Sequence, residues 1–301
     1  MTMLTQDTKA TDPQIKQITR VATDAAEKAV ADYIAEFGLD KDGAQRVHAN
    51  GHEITAAIRS AIFTSYKELS VSDRFKDEEV KSTFGYLSGY KKPKGITEQT
   101  NILRQAFPGI GFADEKIAQG EVPKGAEGWF AIPKWETMAE TYGEAVQKVI
   151  DAIKKSRNGK FFNYREGELG PDQLRQSART TDVFQKLTLE QKDHDILVVP
   201  AQFGLRHRGR SVRRVREVLL GNEFGLGAFA VGIMILTHPE RLMNYDDLWI
   251  DCAGDEFAPD ADGKFSGAPC FGFDDDEVEF GTGDVSIAGG RFGTASGFSP
   301  Q

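Results

Sequence analysis

Ile15, Ile18, Ala22, Ala25, Ala29, Tyr33 and Phe37 recur three and four residues apart. That spacing winds one apolar stripe along a helix, and nothing else in the chain restricts its fold as strongly. Asp12 suits the N-cap, Pro13 the first helical position and Gly38 the stop. A second helix is expected over His52–Leu69, with Ile54, Ala57, Ile58, Ala61, Ile62 and Leu69 on one face. The charged stretch 72–82 reads as a short surface helix. His48 and His52 have i, i+4 spacing, but Asn50-Gly51 between them breaks the helix that would align them.

Between 84 and 128 glycine, proline and lysine break the helical rhythm, leaving room for one short helix at Thr97–Phe107. Beyond it the texture is mixed. Trp129–Pro133 reads as a buried strand. Met138, Tyr142, Ala145, Val149 and Ile153 form a helical stripe. A helix is expected over Asp172–Leu187, a strand over 195–199, a helix over 212–220 and a buried helix over the apolar run 224–236. Asp247–Asp251 is strand-like, and Phe271–Phe273 and Val278–Phe280 read as strands paired around an Asp-rich turn. The expected fold class is α+β. Residues 1–12 form a tail, 13–125 a mainly helical region, and 126–301 a mixed α/β domain with a small sheet and an acidic, glycine-rich end.

Against this acidic background (net charge −9 over 301 residues) one segment is strongly basic. Arg206, Arg208, Arg210, Arg213, Arg214 and Arg216 fall within eleven residues, together with His207 and Ser211. They follow an apolar strand and open a helix at Val212. A helix N-terminus presents unpaired N–H groups and partial positive charge, Ser211 suits its cap, and Gly204 and Gly209 permit tight turns. Strand, arginine loop and helix start together read as a site for phosphate or carboxylate. No Gly-Lys-Ser/Thr follows, so this is not a Walker loop. His207 is a candidate base or donor. The competing reading pairs the arginines internally with carboxylates.

Asp251, Asp255 and Glu256 follow a candidate strand and form the weaker alternative, a divalent-metal site for phosphoester chemistry. Tyr86, Tyr90, Lys91, Lys92 and Lys94 interleave rings and cations, as base-stacking loops do and as loops with an anchored tyrosine also do. No catalytic residue is assigned, and the sequence requires no cofactor. Two cysteines are too few for a disulfide framework. The N-terminus lacks a signal-peptide pattern, and the apolar run Phe224–Thr237 is too short to span a bilayer. A cytoplasmic location and no membrane partner are therefore expected.

From Trp129 onward the strings VPAQFGLRHRGRSVRR, NEFGLGAFAVG, LTHPERL and DCAGDEF resemble a group of uncharacterised bacterial proteins. The resemblance implies a bacterial intracellular protein and carries no activity, cofactor or site. Three functional expectations stand together. The first is a binder of a phosphate-bearing ligand, nucleic acid foremost, through Arg206–Arg216. The second is a metal-dependent phosphoesterase or nuclease. The third is a structural or assembly protein, capable of self-association, whose arginines are internal ion pairs.

Overall fold

The computed structural model describes residues 11–69, 73–219, 221–260 and 263–299. The fold is α+β, and its contacts divide the chain into two units, Met1–Ser70 and Val71–Gln301. The first holds α1 (Asp12–Phe37), α2 (Lys41–Ala49) and α3 (Gly51–Leu69). Thr11, one residue ahead of the expected Asp12, is the N-cap of α1, and the Gln14 side chain accepts its N–H at 2.8 Å. Gly38 ends the helix with φ 70°, a left-handed value that glycine tolerates best. Although α1 is amphipathic, none of its residues is buried. The short α2 has no stripe long enough to read from sequence. It starts at the cap Asp40, whose carboxylate accepts the Gly43 N–H at 2.5 Å. Asn50 caps its end, so His48 and His52 fall on separate helices.

In the second unit follow α4 (Ile96–Ala106), β1 (Gly128–Pro133), α5 (Tyr142–Ser156), β2 (Phe161–Asn163), β3 (Leu174–Gln176), α6 (Ala178–Glu190) and β4 (Ile196–Gln202). Then come α7 (Val212–Val218), β5 (Glu223–Gly225), α8 (Ala228–Thr237), β6 (Trp249–Asp251), β7 (Asp255–Phe257), β8 (Gly267–Asp274), β9 (Glu277–Asp284), β10 (Phe292–Thr294) and β11 (Ser296–Phe298). One sheet is antiparallel with strand order β1-β4-β11-β5. The other has seven strands, β10-β6-β8-β7-β3 with β9 beside β8 and β2 beside β9. Two sheets thus replace the one small sheet expected. Among the described residues, seven of the eleven strands are three residues long, too short to show a period of two.

The core lies around α8. All ten of its residues are buried, and it packs on α5, β1 and β8, which explains a helix apolar on every side. Gly232 makes that packing possible, since a Cβ there would stand 2.7 Å from Val149 Cγ1 of α5. Residues 73–125 also belong with the strands rather than with α1–α3. The Gln99 amide of α4 accepts the Ala131 N–H and donates to the Trp129 carbonyl, both at 2.9 Å, stitching α4 to β1. The unit division at Ser70/Val71 therefore differs from the expected boundary near 125.

Local differences have local causes. The expected helix 172–187 begins as strand β3, because Ser177 caps α6 and resets the chain direction. The apolar run from 224 divides into β5 and α8 at Gly227. Residues 73–79 form turns, with Glu79 bridged to Arg210, and not a helix. The Asp-rich hairpin forms as expected. Asp275 and Asp276 both take positive φ (43° and 62°), the two-residue turn that matches strand twist.

Candidate functional site

The arginine segment leaves β4 through Gly204, makes a short 3-10 turn over Leu205–His207 and enters α7. Gly209 is required here. Its φ is 77°, and a Cβ would lie 2.2 Å from the Val80 carbonyl oxygen. Its own N–H and carbonyl bind Phe292 O and Val80 N, each at 2.8 Å. Ser211 caps α7, its Oγ accepting the Arg214 N–H at 3.1 Å. The sequence thus located both the loop and the helix start.

The anion in front of that helix is supplied by the chain itself. The Glu78 carboxylate accepts the Ser211 hydroxyl at 2.6 Å and the Arg213 Nε at 2.8 Å, and Arg213 Nη2 completes a two-pronged pair. The Arg213 and Ser211 hydrogen bonds hold the Glu78 carboxyl below its ordinary range against a smaller effect of burial. Glu79 next to it accepts Arg214 Nε at 2.6 Å and lies 3.3 Å from Arg210 Nε. Arg214, 9% exposed, also reaches Glu217 at 2.8 Å and Asp73 at 3.4 Å. Glu217 in turn accepts the backbone N–H groups of Arg74 and Phe75. Segment 73–79 is therefore fastened to α7 by charge.

On the other side of the loop stands Glu223, with no exposed surface. Its carboxylate accepts Arg206 Nε at 3.1 and 3.2 Å, Ser296 Oγ at 2.6 Å and His207 Nε2 at 2.7 Å. Arginine only donates, so Arg210 Nη1, 3.1 Å from His207 Nδ1, makes Nδ1 the acceptor and leaves the hydrogen on Nε2. His207 is a buried link between Arg210 and Glu223, not a free base. Burial alone would raise the Glu223 carboxyl. The His207 hydrogen bond, the positive charge that ring carries when protonated, the Ser296 hydrogen bond and the Arg206 charge outweigh it and hold the group at about 2.

The last two arginines bind carbonyls. Arg208 Nη1 donates to Phe84 O at 3.0 Å, and Arg216 donates to Ala253 O and Asp255 O at 3.0 and 2.5 Å. Every guanidinium of the six has an oxygen partner within the chain. An open cleft of about 540 Å³ lies elsewhere, lined by Phe107, Pro108, Ile110, Met138, Lys148 and Asp195 among others, and none of the six arginines lines it.

Asp251, Asp255 and Glu256 do not converge. Asp255 and Glu256 are consecutive in β7 and so project to opposite faces. Glu256 pairs outward with Arg175 at 2.8 Å. Asp255 points inward, accepting Tyr142 Oη on both oxygens at 2.9 Å and the Ala228 N–H at the start of α8 at 2.7 Å. Among the described residues, no three His, Cys, Asp or Glu side chains are grouped to hold a metal ion.

Burial pushes the Asp255 carboxyl up to about 7, although Ala228, Tyr142 and Arg216 pull it down. A carboxyl raised from 3.8 on folding favours the native state fully below that value and loses the contribution as pH rises through about 7. Native stability should therefore fall between pH 5 and pH 8 more steeply in the wild type than in Asp255→Asn. Urea unfolding at about pH 5 and about pH 8 checks this, and equal pH dependence in both proteins would reject it.

Other residues proved structural without an advance signal. Asp247 is buried and accepts the N–H groups of Leu87, Ser88, Met243 and Asn244 as well as the Ser88 hydroxyl, tying two loops. Glu127 accepts Tyr86 Oη at 2.6 Å and Tyr90 Oη at 3.0 Å, so both tyrosines are anchored inward and not presented for stacking. Lys94 pairs with Glu240. No helix among the described residues is long and apolar enough to cross a membrane. No protein-family model, curated protein or solved structure matches the chain.

Proposed function

We propose that this chain is a structural protein that works by assembling, and that its arginine segment is an internal fastener instead of a ligand site. The observation carrying the reading is the Glu78 carboxylate on Ser211 and Arg213, where a phosphate would have to sit. An incoming phosphate must displace that carboxylate, and it would leave Glu78 beside a second anion. Glu79 and Glu223 impose the same competition at Arg210, Arg214 and Arg206. With each arginine partnered within the chain, although Arg206 and Arg208 remain exposed, the assembly reading falls on the exposed apolar stripe of α1, the kind of surface that associates.

The test is titration of labelled single- and double-stranded oligonucleotides at two salt concentrations, with and without magnesium. The expected result is no saturable binding. Binding that falls steeply with salt and is lost in Arg206→Ala or Arg208→Ala would overturn the fastener reading and restore the phosphate site.

A further inference from the structure

We infer that α1 is an interaction surface for a second copy of this chain, and that the two α1 helices lie antiparallel with the symmetry axis near Ala26. The inference rests on the assembly reading and adds the partner and its direction.

The surface comes first. Ile15, Val30, Tyr33 and Phe37 are 50%, 60%, 53% and 67% exposed, and no residue of the 26-residue helix is buried. Isolated helices gain too little from backbone propensity to persist, so most of their stability comes from covering an apolar face. With the half-buried Ala26 in place of its exposed neighbour Ala25, the stripe Ile15, Ile18, Ala22, Ala26, Ala29, Tyr33, Phe37 advances by three, four, four, three, four and four. That is two eleven-residue repeats centred on Ala26, a period that suits a nearly straight, slightly right-handed pair of helices. Bulky residues occupy both ends and alanines the middle, so two such helices can approach closely along their centres.

Charge decides the partner and the direction. Asp12, Lys16 and Arg20 make the first part of α1 net positive. Asp24, Glu27, Asp32 and Glu36, against Lys28 alone, make the rest strongly negative. The helix dipole has the same polarity, positive at the start and negative at the end. No basic residue stands in the last turn, so Glu36 faces the negative end of its own helix uncompensated. A parallel partner would set acidic end on acidic end. An antiparallel copy brings Lys16 and Arg20 to the end that holds Asp32 and Glu36, and opposes the two dipoles. It also sets Ile15 against Phe37 and Ala22 against Val30. A lipid surface fits worse, since five acids outnumber three bases on α1 and anionic headgroups would repel it.

The experiment uses the full chain. Light scattering after gel filtration should give a dimer, and Ala26→Asp should raise its dissociation constant on the order of a hundredfold, because the carboxylate is buried at the axis. Cys252 and Cys270 are buried, so added cysteines report alone. Ala26→Cys should form an intermolecular disulfide under mild oxidation. Ile15→Cys should not, because an antiparallel pair separates its two copies by about 33 Å. The double variant Ile15→Cys, Phe37→Cys should give a covalent dimer in which peptide mapping finds residue 15 joined to residue 37. Joining of 15 to 15 would overturn the antiparallel arrangement and leave assembly standing. A monomeric wild-type chain, or a dimer indifferent to Ala26→Asp, would overturn the role of α1 itself. Unchanged thermal unfolding of Ala26→Asp excludes misfolding as the cause of any change.

Discussion

Glu223→Ala is expected to destabilise the second unit by about 3–5 kcal/mol, the usual cost of removing one partner from a buried charged network. At that size of domain the unfolding midpoint should drop by roughly 10 °C. The reason is what stays behind. His207 is 2% exposed and loses the acceptor of its Nε2 hydrogen, Ser296 loses its acceptor beside it, and Arg206 keeps its charge without its counterion. Glu223→Gln keeps the shape and one oxygen, so it should lose less. The wild type should also lose stability in acid. A carboxyl lowered from 4.5 to about 2 on folding stabilises the native state above the higher value and loses that contribution as pH falls through the lower one. Calorimetry at about pH 7 and about pH 3 should show the wild type falling toward Glu223→Gln. A parallel fall in both proteins would mean that the buried carboxylate does not hold the loop.

The second large effect is expected at Arg214, whose guanidinium meets Glu79, Glu217 and Asp73. Arg214→Met keeps much of the stem and removes the charge. It should cost about 2 kcal/mol, within the range for hydrogen bonds to charged groups, because three carboxylates lose their shared cation. Arg214→Lys should recover only part of the loss, since a single ammonium cannot satisfy oxygens arriving from three directions. The expected structural consequence is release of segment 73–79, read as faster amide exchange at Arg74 and Phe75, whose N–H groups depend on Glu217. Full recovery by lysine would show that only net charge matters there.

How far the sequence could be read depends on how local each cause is. The α1 stripe, the Ser211 cap, the Gly209 turn and the hairpin at Asp275-Asp276 are written within a few neighbouring residues, and each was found. The run from Phe224 misled because uninterrupted apolar sequence has no period, and only the packing of α8 between layers separates strand from helix there. The arginine site was half legible. Its donors lie within eleven residues, but Glu78 lies 133 residues before Ser211, and no spacing rule connects them. Glu223 gave one faint signal, a lone acid at the edge of an apolar run. Asp247 and Glu127 gave none, because their donors come from loops that only the fold brings together.

The claim that these arginines act inside the molecule is tested most directly by a double-mutant cycle. Unfolding free energies of the wild type, Arg214→Met, Glu79→Gln and the double variant isolate the interaction between the two side chains. A coupling of about 1 kcal/mol or more is expected for groups 2.6 Å apart. Additivity within roughly 0.3 kcal/mol would mean that the pair does not form, and would return the arginine loop to solvent and to an outside ligand.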